Sequence, residues 1–297
     1  MPNDALREYI EKSEKRVIID GVFNARMSKD IAKSFDAGLY DVKLNDHKKC
    51  VNELKTINIK YPENTNPVFY IYIIPDETSV ELLRYPYKDH KKIGKPVNSY
   101  DSDGFSLAYG SSQNFLIDNG PISTESHVNL IHEYAHLIYN QFGVGRDRWF
   151  AEGFAELVPW YVLEYENRVP KHLVTMKSLD KIYTVNELLD PVVFSDAIPG
   201  ERCAYQPSYI SAYLAVRAIV EHIRVKYKLS RFEAVQKVLE LVYNIKCRQQ
   251  WFVRDLTQAI DMDMEKLLNS TEYQIATLNQ IEHETKKNII IGTRERN

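Results

Sequence analysis

Two histidines and a glutamate sit within five residues, His132, Glu133 and His136 in the string HEYAH. On an α-helix, residues four apart lie on one face, so both imidazoles can meet a single metal ion. Glu133 stands on the shoulder of that face, where it can reach a metal-bound water without joining the ligands. Sixteen residues beyond His136 comes Glu152, in the stretch WFAEGFAELVPWYVLEY. A helix, a turn and a return helix fit in that interval, so its carboxylate can come back to face the histidines. Glu156 shares the face of Glu152 one turn on. Two carboxylates at that spacing repel. A divalent cation on one and the second N–H of a ligand imidazole on the other would offset the repulsion. The competing reading is a solvated acidic face beside a helix that happens to carry two histidines. It leaves unexplained why Gly153, which weakens a helix by ~1 kcal/mol relative to alanine, stands between two apolar turns. A close approach of this helix to the HEYAH helix explains it.

Two neutral imidazoles, one carboxylate and an open position form the catalytic kind of zinc site, whereas closed structural sites fill the fourth position with cysteine or histidine. One Zn2+ is therefore the expected cofactor. Zinc lowers the pKa of its bound water and polarises a carbonyl. Glu133 would take the proton from that water as it attacks and deliver it to a leaving amine. The oxyanion then needs a further donor. Cys50, Cys203 and Cys247 lie far from these motifs in sequence, form no CxxC pair and imply no disulfide framework.

The elements around these residues must position them. Ser123 to Phe142 reads as one helix with a broad apolar surface from Val128, Leu130, Ile131, Ala135, Leu137 and Ile138, entered from the turn at Asp118–Pro121. Upstream, GFSLAY, a GSSQ turn and NFLID predict a β-hairpin running into that helix, and PVFYIYII, residues 67 to 74, predicts a central strand. Residues 3 to 16 read as a polar amphipathic helix. Arg16 to Phe23 is either a short strand or the turn into a second helix ending at Gly38, and Tyr40 to Ile59 is helical. Downstream, a short helix follows Thr184 as cap, and amphipathic helices are predicted from about Ser208 to Tyr227 and from Arg231 to Tyr243. Shorter ones follow at residues 250 to 260 and 262 to 268. The pattern predicts an α+β fold, a small mixed β-sheet carrying the active helix beside a C-terminal helical bundle. Four regions follow: a helical N-terminal region (1–64), an α/β part (65–145), a helical part carrying the third ligand (146–270) and a tail (271–297).

Composition narrows the partners. The chain has 297 residues, 27% of them charged, with a net charge of -3 and scattered lysines, which argues against a nucleic-acid binder. No apolar run is long enough to span a bilayer, and the charged first twenty residues contain no signal-peptide core, so a cytoplasmic protein is expected. Oligomeric state is not encoded in any pattern here. His127, His172, His222 and His283 read as ordinary surface or core histidines.

HEYAH followed by WFAEGFAE closely resembles the gluzincin metallopeptidases, above all the minimal peptidase-MA-like group related to thermolysin and the M1 aminopeptidases. The resemblance implies a zincin-like fold and a zinc-dependent peptidase, with zinc on His132, His136 and Glu152, Glu133 as general base and Glu156 bracing the first histidine. It further implies that Ser106, Leu107, Ala108 and Tyr109 form an antiparallel edge strand pairing with a peptide or protein substrate. Tyr205 is implied as the oxyanion donor, with Tyr209 as fallback. No GxMEN-type signature precedes the site, which favours an endopeptidase over an aminopeptidase. Pro159 is expected to kink its helix after Ala155. The alternative is a catalytically inactive zincin-fold binding or structural module.

Overall fold

The computed structural model describes residues 14–18, 22–27, 41–62, 69–73, 106–109, 115–118, 126–142, 148–165, 182–190 and 207–245, with single positions around them. The described elements run β1 (Glu14–Ile18), β2 (Phe23–Met27), α1 (Asp41–Lys55), β3 (Phe69–Ile73), β4 (Ser106–Tyr109), β5 (Phe115–Asp118), α2 (Ser126–Asn140), α3 (Arg148–Tyr165), α4 (Val185–Leu188), α5 (Pro207–Tyr227) and α6 (Arg231–Ile245). Two compact units share them. One comprises Met1–Lys55 with Asn64–Leu137, the other Thr56–Glu63 with Ile138–Asn297.

The first unit holds a five-stranded sheet in the order β1-β2-β3-β5-β4. Strand β3, FYIYI, alternates aromatic and β-branched residues, which fit a pleated surface. It lies at the centre, parallel to β2 on one side and to β5 on the other. A parallel β2–β3 pair cannot be joined by a hairpin, and the crossover between them carries α1. The outer strands are both antiparallel: β1 pairs with β2 through a bulge between Lys15 and Val17, and β4 pairs with β5 in the register Ser106↔Asp118 to Tyr109↔Phe115. Between α1 and α2, the imidazole Nδ1 of buried His47 lies 2.9 Å from the hydroxyl of buried Tyr134, the rings meeting edge to face. A buried hydroxyl needs such a partner, and this one pins the middle of HEYAH to α1.

The described elements of the second unit are helices. Its closest packing is α3 on α5, and Gly153 makes it possible. A Cβ built there would stand 2.4 Å from the Ala212 carbonyl oxygen and 2.7 Å from Val216 Cγ2. Trp160 stacks on Tyr213 with ring centroids 5.1 Å apart. Between the same helices lies a buried charge: Arg217 pairs with Glu221 and places its guanidinium 4.6 Å from the Tyr161 ring centroid, while the Tyr161 hydroxyl donates to Glu221 at 3.0 Å. Burial pushes the Tyr161 phenol well above its ordinary pKa. Helix α5 closes with Lys228 at φ 53°, where Leu229 N–H donates to Arg224 O and Lys228 N–H to Val225 O. That is a Schellman stop. The turn leads into α6, where Ser230 and Glu233 exchange the two bonds of a capping box.

Several expectations are corrected here. Residues 3 to 16 do not all belong to a helix, since Glu14–Ile18 is a strand; this takes the strand alternative at Arg16, and Phe23–Met27 is another strand. The sheet is therefore not confined to the stretch after residue 65. Among the described residues helices outweigh strands several-fold and the sheet lies in one unit, so the zincin-like α+β description is corrected to a helix-dominated one. Helix α3 runs on through Pro159, from Arg148 to Tyr165. Gly153 makes its close approach to α5, not to the HEYAH helix.

Candidate metal centre

Helix α2 presents His132, Glu133 and His136 on its half-buried side and Leu130, Ile131, Tyr134, Ala135 and Leu137 on its buried side. The 3.6-residue period separates the two sets, so folding the apolar side inward leaves both imidazoles together. Their Nε2 atoms lie 3.1 Å apart, with the rings crossed at 80°. Two nitrogens on a tetrahedral zinc, each at ~2.0–2.1 Å, stand roughly 3.3 Å apart, close to the observed spacing, which is also that of a hydrogen bond between the two rings.

Helix α3 supplies the third group. Its first turns are fixed by rings: Tyr139 stacks on Phe150 at 5.8 Å and meets Phe154 at 5.5 Å, and Trp149 and Phe150 are buried. Glu152 sits between those two phenylalanines in sequence. Ligand atoms of His132, His136 and Glu152 all lie within 4.8 Å of one another. Two imidazoles and a carboxylate at that separation can hold a metal ion. Glu156, only 5% exposed, is not on a solvated face, which removes the competing reading of an acidic surface.

The ion pair at Glu152 was not foreseen. Arg148 Nε stands 3.5 Å from Glu152 Oε1, and Arg148 Nη2 donates to the Tyr209 hydroxyl at 3.4 Å. Burial of the guanidinium works against its charge, but Tyr209 and Glu152 beside it more than offset this, and the Arg148 pKa lies above its usual value. The i,i+4 spacing of Arg148 and Glu152 was visible in the sequence; the contact with Tyr209, on α5, was not. His47, the partner of Tyr134, also went unremarked, and no local pattern marks it.

The remaining site expectations fall out as follows. Tyr205 lies outside the described residues. Tyr209 is buried, and its hydroxyl accepts from Arg148. Ser106, Leu107, Ala108 and Tyr109 form β4, at an edge of the sheet and antiparallel to β5. No described helix is long and apolar enough to cross a membrane.

No protein-family model matches the chain, and no curated protein matches it. The likeness to gluzincin metallopeptidases thus extends no further than two short motifs, and among the described residues helices dominate. Assignment to that family, and with it a zincin-like fold, is corrected. Zinc-dependent peptide-bond hydrolysis by a metallopeptidase, with Glu133 as general base, needs the zincin scaffold around those motifs as well as the motifs themselves, and is withdrawn with it. What stands is a cluster of three residues, His132, His136 and Glu152, that could hold a metal ion.

Proposed function

We propose that this protein binds one zinc ion through His132, His136 and Glu152. The observation that carries the reading is the convergence of the three donor groups, with the two imidazole nitrogens 3.1 Å apart. Imidazole and carboxylate together suit zinc, and no cysteine belongs to the cluster to favour softer ions. Three protein donors leave one position of a tetrahedral ion for water or an added ligand, so the site is of the open kind.

Two neighbours have supporting parts in this reading. Glu156, buried one turn beyond Glu152, would accept the second N–H of a ligand imidazole and so fix its tautomer. Glu133 lies beside the ion without binding it. The outer edge of β4, Ser106–Tyr109, is a place where an extended chain could add a strand.

Metal analysis of the purified full chain after exposure to zinc and removal of loose ion tests the reading. One zinc per chain is expected, falling to none in His132→Ala/His136→Ala. Full retention by the double variant would refute it.

A further inference from the structure

Glu152 differs from the two histidines in having a long, freely rotating side chain that must be held before it can serve as a ligand. Held loosely, it would lose rotamer freedom on binding the ion, and affinity would fall. In this structure it is held. Arg148 lies one turn back on α3 and reaches Oε1 through Nε, while its Nη2 is anchored on the Tyr209 hydroxyl of α5. Tyr209 is 6% exposed, on a stretch of α5 where Ile210 and Ala212 are buried too. The guanidinium is planar, so fixing one nitrogen fixes the direction of the others. A carboxylate has two oxygens, and one bound to arginine leaves the other for a metal.

We propose that Arg148 is a positioning residue for the third ligand, held in place by Tyr209. The proposal rests on the metal reading above. An opposite effect competes with it, because a guanidinium repels a dication. The Arg148 side chain is 45% exposed and already paired with a carboxylate, so solvent and that pair weaken the repulsion, whereas the orientation it imposes is not screened. Outer partners that orient ligands typically change metal affinity ~10–100-fold, and the positioning effect prevails.

The test compares the full chain with Arg148→Gln, Arg148→Lys and Tyr209→Phe. Zinc affinity is measured by competition with a chromophoric chelator, and the ligand field by visible spectra of the cobalt(II)-loaded proteins. Arg148→Gln should weaken zinc about 10-fold or more and alter the cobalt bands, Arg148→Lys should recover part of the loss, and Tyr209→Phe should weaken zinc by about threefold to tenfold. Melting curves establish that each variant is folded. If Arg148→Gln is not, Tyr209→Phe decides, since it removes only a hydroxyl. Zinc bound as tightly or more tightly by a folded Arg148→Gln, or unchanged in Tyr209→Phe when that variant decides, overturns the proposal. A parent protein that binds no zinc would remove the metal reading itself, whereas a zinc-binding parent with indifferent variants removes only the clamp.

Discussion

Replacing Gly153 by alanine should destabilise the protein, although helix propensity alone predicts the reverse. In a helix interior, alanine is favoured over glycine by ~0.8–1.0 kcal/mol. The added Cβ would, however, stand 2.4 Å from the carbonyl oxygen and 2.7 Å from the carbonyl carbon of Ala212. Both are backbone atoms inside α5, so no side-chain rotation relieves the contact and the helices must separate. Overpacking of this kind costs typically ~1–3 kcal/mol and occasionally more. Loss of the flanking contacts of Trp160 with Tyr213 places this site at the upper end. After the propensity gain is subtracted, the net loss is about 2 kcal/mol. At roughly 2–4 °C per kcal/mol for a unit of this size, Gly153→Ala should melt about 4–8 °C lower, as followed by circular dichroism at a helical wavelength. Combining it with Val216→Ala should restore little, because that change relieves the methyl contact and leaves the carbonyl. A Gly153→Ala protein as stable as its parent, or more so, would refute the close helix approach. Because Gly153 follows Glu152, the same variant should also bind zinc more weakly.

Arg217→Ala should cost about 3–5 kcal/mol in urea unfolding, because it strips a buried carboxylate, Glu221, of one of its cations; Arg217→Met, which fills the space and removes the same charge, should recover only part of that loss, and full stability in Arg217→Met would contradict the charge argument. Lys228→Gly should stabilise by roughly 0.5–1 kcal/mol, since a lysine at φ 53° bears a left-handed strain that glycine does not; a lower denaturation midpoint would contradict it. Burial, reinforced by Glu53 and Asp46, pushes the Cys50 thiol upward. In a Cys203→Ser/Cys247→Ser background it should therefore stay unreactive to a thiol reagent at pH 8 until the chain unfolds. Tyr161, raised by burial, stays neutral in the folded protein while its unfolded counterpart ionises from about pH 10. The unfolded state then holds fewer protons, so stability should fall as pH rises above that point; a flat profile through pH 11 would count against it.

What could be read in the chain beforehand depended on how local the cause was. The HEYAH helix was expected over Ser123 to Phe142 and spans Ser126–Asn140, because its apolar period is strong and long. PVFYIYII contains β3, Thr184 does cap α4, and Arg231 does begin α6. The failures have non-local causes. Arg16 to Ile18 had offered a short strand, but FNARM has no β-branched residue; Phe23–Met27 is a strand because it lies parallel to Phe69–Ile73 across a crossover. Gly153 was rightly suspected of a close contact, but its partner, Ala212, sits some sixty residues along the chain. The donor set of the site was legible because two of its members are one helical turn apart. The Arg148–Tyr209 bracket was not, because it needs α5 to lie against α3.

The central claim is that His132, His136 and Glu152 bind one metal ion together. The most direct measurement is a zinc titration of the full chain with metal analysis, run beside Glu152→Gln, His132→Ala and Glu133→Gln. The account predicts one zinc per parent chain, weakening of at least ~10-fold in the first two variants and unchanged stoichiometry in Glu133→Gln, which lies beside the ion without binding it. A parent that takes up no zinc, or a Glu152→Gln variant that binds it as tightly as the parent, would contradict the account.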